Sequence, residues 1–321
     1  MRPSRQRALM PLMLSLVGAS DPPPVVREVA ADARVTITVD GHSVPARLGP
    51  GLPSFFYLPR ARAEAVFGGD ARIGDRGFVL FSVGPASSAR IGPVVVPGRA
   101  RRASIGAAEA SGAAVQENWV KWFETDAYPG DEALGGPFAL PEPIVRFTLH
   151  PAQPGEVEVT LPLAARYNWW LASVEQGIGS HDVLFAFAPQ FSRTVASAAA
   201  GAAIGRAQGA RFDGAVEPVL ISHGVRRPAR PVQLAQPLAL GPLRITSLLV
   251  RTHDYGAAID IDPSEADGLD ADNRDVVVKG KRTKSRPSYV VYVGADVLNG
   301  CSSITYDKPG RVVTLRCRVV G

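Results

Sequence analysis

The chain has 321 residues, enough for two domains or for one bilobed domain with a substantial core. Hydrophobic residues make up 46% of it, which excludes general disorder, and its 32 glycines and 28 prolines favour short strands and turns over long helices. The formal net charge is +5, but residues 1–20 carry three arginines and no acid, so the rest of the chain carries only +2. So small an excess gives no support for nucleic-acid binding.

The first predicted element is a secretory signal peptide over residues 1–20. Three arginines make a positive start, residues 8–17 are apolar, and small residues follow at Gly18 and Ala19. The apolar stretch is too short to cross a bilayer as a helix. The pattern predicts a secreted or periplasmic protein with no stable membrane insertion after cleavage, and the alternatives are a flexible terminus and an uncleaved short anchor.

A proline-led linker is predicted over residues 21–34, followed by a first domain over residues 35–150. The domain begins with a hairpin, because apolar residues alternate on both sides of Asp40-Gly41, a dipeptide typical of tight hairpin turns. A loop follows, and then a short helix that begins after Pro59 and ends at Gly68. Apolar strand patterns complete this half.

The second half, residues 151–321, repeats this order: two strands joined by a turn, a loop, an alanine-rich helix ended by Gly209, and an apolar strand after Gly241. Each half closes with two apolar residues before a glycine, Gly135 in the first and Gly294 in the second. Such a repeat predicts two copies of one structural unit.

The spacing of these features supports the repeat. The interval from Gly49 to Gly92 equals that from Gly92 to Gly135, at 43 residues. In the second half, the interval from Ala188 to Gly241 equals that from Gly241 to Gly294, at 53 residues. The extra length is readily placed in loops, which tolerate insertions.

Two charged segments lie late in the chain. Residues 260–275 hold seven acids, and residues 279–287 hold five basic side chains at the predicted tip of a hairpin. The first is interpreted as a solvated acidic loop, with a calcium loop as the alternative, although the EF-hand order is absent. The basic tip either neutralises the acidic loop or contacts an anionic partner.

The two cysteines, Cys301 and Cys317, flank a further hairpin. Alternating residues on both sides of the loop Lys308–Gly310, whose glycine takes a positive φ, place Asp307 opposite Arg311. The same register places the two cysteines face to face. A disulfide is predicted, as is typical of an exported protein, and two buried thiols are the alternative.

Four tryptophans are candidates for lining a peptide or glycan groove: Trp119, Trp122, Trp169 and Trp170. Core packing is the alternative for each of them. The five histidines are dispersed and lack the spacing of metal ligands, so neither a metal nor a cofactor is predicted.

Each half contains, in the same order, a hairpin, a loop, a helix and an apolar-apolar-glycine motif. This duplicated order, over residues 33–318, resembles that of the retropepsin-like and pepsin-like aspartic proteases. The resemblance implies a mainly β, bilobed, pepsin-like double-ψ β-barrel architecture with short helices. Each half would be one retropepsin-like lobe, and a cleft would separate the two lobes.

Aspartic proteases use one carboxylate from each lobe, within Asp-Thr-Gly or Asp-Ser-Gly, and the two share a proton. Neither tripeptide occurs in this chain. The corresponding positions hold Gly49, Pro50 and Gly51 in the first half and Ala188, Pro189 and Gln190 in the second. No catalytic residue is therefore predicted, because none of these side chains can exchange a proton.

The hypothesis from the sequence is an exported, non-catalytic, pepsin-like protein that binds a polypeptide or cell-envelope component in or near the cleft. The first alternative is an aspartic endopeptidase with non-standard catalytic residues. The second is a structural envelope protein with no defined site.

Overall fold

The computed structural model describes residues 25–31, 33–71, 86–91, 94–107, 115–164, 171–223, 225–252 and 288–318. These residues are mainly β, as the sequence predicts. The signal peptide, the acidic and basic segments, Trp169 and Trp170 lie outside the described residues.

Twenty strands and three α-helices occur in the described part of the chain, with two short 3-10 helices at Gly68–Ala71 and Pro137–Ala139. The strands are β1 (Val26–Ala30), β2 (Ala33–Val39), β3 (His42–Leu48), β4 (Phe56–Tyr57), β5 (Ala86–Ile91), β6 (Val94–Ala107), β7 (Gln116–Phe123), β8 (Ala133–Gly135), β9 (Ile144–Thr148), β10 (Glu156–Pro162), β11 (Val174–Ile178), β12 (His181–Phe187), β13 (Val195–Ala196), β14 (Ala210–Phe212), β15 (Glu217–Ser222), β16 (Val225–Leu240), β17 (Leu243–Arg251), β18 (Val290–Val293), β19 (Cys301–Asp307) and β20 (Val312–Arg318). The helices are α1 (Arg60–Phe67), α2 (Ala198–Gln208) and α3 (Ala295–Leu298).

Strands β2 to β8 form the first lobe. Their order is β2-β3-β8-β4-β7-β6, and β6 pairs back onto β2, so these six strands close into a barrel. Strand β5 extends the sheet beside β6. The hairpin at Asp40-Gly41 joins β2 to β3 as predicted, with both turn residues at positive φ.

Strands β11 to β18 form the second lobe, and its central pairings repeat those of the first. In the first lobe β3 pairs parallel to β8, β8 antiparallel to β4, and β4 parallel to β7. In the second lobe β12 pairs parallel to β18, β18 antiparallel to β13, and β13 parallel to β17. The repeat in the sequence thus has a counterpart in the strand pairing.

The register of the two central parallel pairs shows which residues of the lobes correspond. Strand β3 ends with Leu48 opposite Gly135, and β12 ends with Phe187 opposite Val293. The residues that follow these four positions are therefore equivalent between the lobes.

By this register Gly49 is equivalent to Ala188, and Gly136 is equivalent to Gly294. The prediction from the sequence that Gly135 is equivalent to Gly294 is therefore wrong by one residue. A Cβ on Gly136 would lie 2.1 Å from a backbone oxygen of the preceding loop, and a Cβ on Gly294 would lie 2.5 Å from a backbone carbon. Both positions require glycine because the chain passes too closely for a side chain.

The two lobes rest on a central five-stranded sheet with the order β1-β9-β19-β20-β10. Strand β1 lies within the predicted linker, which is a correction: residues 26–30 pair parallel to β9, and Val29 is buried. Phe147 and Tyr306 pack edge to face in this sheet at 6.2 Å, and both are fully buried.

The hairpin of β19 and β20 carries the predicted disulfide between Cys301 and Cys317. The two residues lie opposite each other, and both are fully buried. A buried disulfide fits an oxidising, extracellular environment.

The register of this hairpin differs from the predicted one. Asp307 lies opposite Val312, one residue further along than predicted, and Arg311 takes the positive φ expected for Gly310. A bulge at Ser302 compensates for the shift and brings the cysteines back into opposition.

Helices α1 and α2 begin and end near the predicted residues. Helix α1 follows Pro59 and ends at Gly68, and α2 is capped by Ser197, whose side chain accepts the Ala200 N–H at 3.2 Å. Gly209 ends α2 with a φ of 68°. Among the described helices, none combines the length and apolar character needed to cross a bilayer.

Candidate functional site

The two lobes touch where their equivalent loops follow β3 and β12, and we call this contact the seam. A Cβ built on Gly51 would lie 2.6 Å from the Cβ of Ala188 and 2.8 Å from the carbonyl oxygen of Phe187. Gly51 and Ala188 are both buried. The backbone of one lobe therefore packs directly against the other, with no space for a side chain at Gly51.

Backbone hydrogen bonds position both loops of the seam. The Gly49 N–H donates to the Gly135 carbonyl at 3.2 Å, and the Ala188 N–H donates to the Val293 carbonyl at 2.8 Å. These two bonds are equivalent between the lobes. The Tyr306 hydroxyl donates to the Pro50 carbonyl at 3.4 Å, which ties the first loop to the central sheet.

The two loops of the seam contribute no side chain that can exchange a proton. Residues 49–53 and 187–190, which form the two loops, contain no acid, histidine, cysteine or lysine. Within the residues that the structure describes, no group of three His, Cys, Asp or Glu side chains could hold a metal ion. Neither loop therefore supplies a general acid or base.

A second contact between the lobes lies beside the seam. Pro53 forms an isolated antiparallel bridge with Leu171, which precedes β11. Both residues are buried. The lobes are thus joined by main-chain pairing as well as by packing.

A small pocket with a cavity volume of about 40 Å³, open to solvent, borders the seam on the side of the second lobe. The Phe191 N–H donates to the Ala188 carbonyl at 3.0 Å, and Tyr292 directly precedes Val293, so both rings are fixed next to the seam. Their centroids are 5.7 Å apart in an edge-to-face arrangement. The pocket is lined by Tyr128, Phe191, Val195, Val219, Leu220, Arg251 and Tyr292.

Tyr128 is the residue that the first lobe contributes to this pocket. Burial raises its pKa, the neighbouring Tyr292 adds to the effect, and Arg47 opposes it. Burial also raises the pKa of Tyr57, to which Tyr128 and Tyr292 add. Tyr57 and Tyr128 are therefore neutral at physiological pH, and the pocket offers aromatic faces.

The tryptophans of β7 point in different directions. Trp119 is 39% exposed, whereas Trp122 is 1% exposed and its indole N–H donates to the Ala71 carbonyl at 2.8 Å. Trp122 is a core residue, which corrects its assignment to a binding groove, because a side chain enclosed in this way cannot reach a ligand. Only Trp119 of this pair is available at the surface.

The sequence analysis did not find the pocket residues Tyr128, Phe191 and Tyr292. They come from a loop of the first lobe, a loop of the second and strand β18, so no spacing pattern connects them. The one signal that could have found Phe191 is its place three residues after Ala188.

Neither comparison with known proteins identifies the chain. No protein-family model matches it. No curated protein matches it with significance. The geometry of the seam and of its pocket is therefore the basis for any functional conclusion.

We expect Gly51→Ala to destabilise the protein by about 1–3 kcal/mol, since the new methyl group overlaps Ala188 and the Phe187 carbonyl. Gly177→Ala in β11 is the matched control, because a Cβ there has no atom within 4 Å. Urea unfolding measures the free energy of both variants. Equal stability of the two would contradict the close packing at the seam.

Proposed function

We propose that this chain is an exported, non-catalytic, pepsin-like protein that binds a polypeptide segment between its lobes. The observation that carries the proposal is the seam, where two equivalent loops meet at Gly51 and Ala188 without an ionisable side chain. The repeated strand pairing around these loops supports the resemblance to the two lobes of aspartic proteases. The buried disulfide supports export to an oxidising compartment.

The pocket beside the seam supports a polypeptide as the ligand. Its walls are aromatic and aliphatic, with Arg251 as the charged side chain among its lining residues. Binding pockets are typically of this kind, mostly apolar with a few polar groups that fix orientation. An apolar side chain of an extended peptide would pack against Phe191 and Tyr292 beside the seam. A polypeptide from the cell envelope is the partner that this location favours.

A pooled peptide library tests this proposal. We expect the purified protein to retain peptides rich in apolar residues, and Phe191→Ala to weaken their binding by about tenfold or more, as for a central contact residue. The control is Phe212→Ala: this ring is 46% exposed on β14 and is not among the pocket residues. Affinity is measured on a selected peptide by fluorescence anisotropy. Equal loss in both variants would contradict the placement of the site.

Cleavage is measured on the same library between about pH 3 and about pH 7, with and without a transition-state analogue that inhibits aspartic proteases. We expect intact peptides under all these conditions, since neither loop of the seam supplies a general acid or base. Inhibitor-sensitive cleavage would overturn the proposal in favour of an endopeptidase with non-standard catalytic residues.

A further inference from the structure

The hairpin of β15 and β16 reaches from the second lobe to the first. Its turn residue His223 donates its backbone N–H to the Ala127 carbonyl of the first lobe at 2.8 Å. His223 has a φ of 53°, so the turn depends on a left-handed residue. This hydrogen bond joins the tip of the hairpin to the loop that follows β7.

The imidazole of His223 is inserted among aromatic rings of the first lobe. The residue is 5% exposed, and its ring lies edge-on to Phe123 at 4.8 Å and to Tyr57 at 6.0 Å. Its Nδ1 is 3.1 Å from the Ser222 hydroxyl, while its Nε2 is buried without a hydrogen-bond partner. The ring therefore fits this position in its neutral form, since protonation of both ring nitrogens would place an unsolvated charge there.

The groups around the ring compensate poorly for such a charge. Tyr57 faces it from β4 and is neutral, because burial raises its pKa. Asp126 acts on it from the loop after β7, but one carboxylate oxygen of Asp126 already accepts the Arg60 N–H at 2.8 Å. Burial outweighs the attraction of Asp126 and lowers the pKa of His223 from 6.5 to about 4.

The same hairpin forms part of the wall of the pocket beside the seam. Val219 and Leu220 on β15 line the pocket on the second lobe, and Tyr128 lines it from the first. Tyr128 directly follows Ala127, the residue that binds the tip of the hairpin. Docking of His223 and the width of the pocket therefore depend on the same few residues.

We infer that the β15–β16 hairpin is a proton-operated clasp: neutral His223 holds it against the first lobe, and protonation of His223 releases it and widens the pocket. The inference does not depend on what the pocket binds. It assigns His223 a regulatory role.

The direction of the pH effect follows from proton linkage. A released His223 has the ordinary pKa of 6.5, and the docked residue has one of about 4. Docking is therefore fully favoured above pH 6.5 and is lost as the pH falls from there towards 4, because the released state binds more protons. Relative to about pH 7.5, the equilibrium at about pH 5 shifts roughly 30-fold towards release.

Hydrogen exchange measured by mass spectrometry on the intact protein tests the clasp. After correction for the pH dependence of intrinsic exchange, we expect the hairpin tip to lose protection by roughly 30-fold between about pH 7.5 and about pH 5. The β19–β20 hairpin, closed by its disulfide, should keep its protection. Unchanged protection of the tip over this range would overturn the inference.

Two variants and one titration locate the effect at His223. His223→Asn keeps a residue that adopts positive φ but cannot take up a proton in this range, so protection of the tip should no longer depend on pH. His42→Asn, at the exposed start of β3, should retain the wild-type dependence. Titration of the histidine rings by NMR should show one value well below the ordinary range. A pH response that persists in His223→Asn, or ordinary titration of His223 in the folded wild type, would refute the clasp.

Discussion

Trp122→Ala should lower the free energy of unfolding by about 3–5 kcal/mol, the largest effect we expect from a single substitution in the first lobe. The side chain is 1% exposed and packs against Phe67, with ring centroids 5.2 Å apart. Its removal leaves a cavity and also deprives the Ala71 carbonyl of its indole donor. The measurement is urea unfolding followed by far-ultraviolet circular dichroism.

Trp119→Ala is the matched control on the same strand, because its side chain is 39% exposed. We expect it to change stability by less than about 1 kcal/mol. Trp122→Phe separates the two contributions, since it restores most of the packing without the hydrogen-bond donor. Similar losses for Trp119→Ala and Trp122→Ala would contradict the orientation of β7.

Loss of the Cys301–Cys317 disulfide should destabilise the protein by about 3 kcal/mol. The bond closes a loop with a sequence separation of 16, so it removes conformational freedom mainly from the unfolded chain. Both cysteines are fully buried, Cys317 lies opposite Val157 of β10, and the bond becomes accessible to a reductant once β10 and β20 separate. We therefore expect slow reduction of the native protein and rapid reduction in urea.

Urea unfolding with and without a thiol reductant measures this contribution. The double variant Cys301→Ala/Cys317→Ala should have the stability of the reduced wild type, and the reductant should not change it further. A reductant effect that persists in the double variant would show that the loss does not come from this bond. Equal stability of oxidised and reduced wild type would contradict the expected contribution.

Local signals in the sequence predict the local structure well. The turn at Asp40-Gly41 and the boundaries of α1 and α2 depend on residues whose backbone preferences act within a few positions. The pairing of Cys301 with Cys317 was also predicted correctly, although the assumed register was shifted by one residue. The bulge at Ser302 compensated for the shift, and no sequence pattern announces such a bulge.

Features that depend on distant contacts were not predictable from the sequence. The strand at residues 26–30 has its partner in β9, more than a hundred residues later, so its own residues appeared to be a linker. The role of His223 depends on Phe123 and Tyr57 of the other lobe. The sequence predicts that Gly135 is equivalent to Gly294, whereas the equivalent residue is Gly136. The two glycines are adjacent, and only the strand register distinguishes them.

The order of the central sheet determines when folding can finish. Strands β19 and β20 lie in its interior, where β19 pairs with β9 and β20 pairs with β10. During synthesis the barrel of the first lobe can close early, but its base stays incomplete until residues 301–318 have emerged. Until then the edges of β9 and β10 have unpaired backbone groups and attract other strands, so a nascent chain benefits from a chaperone that shields them.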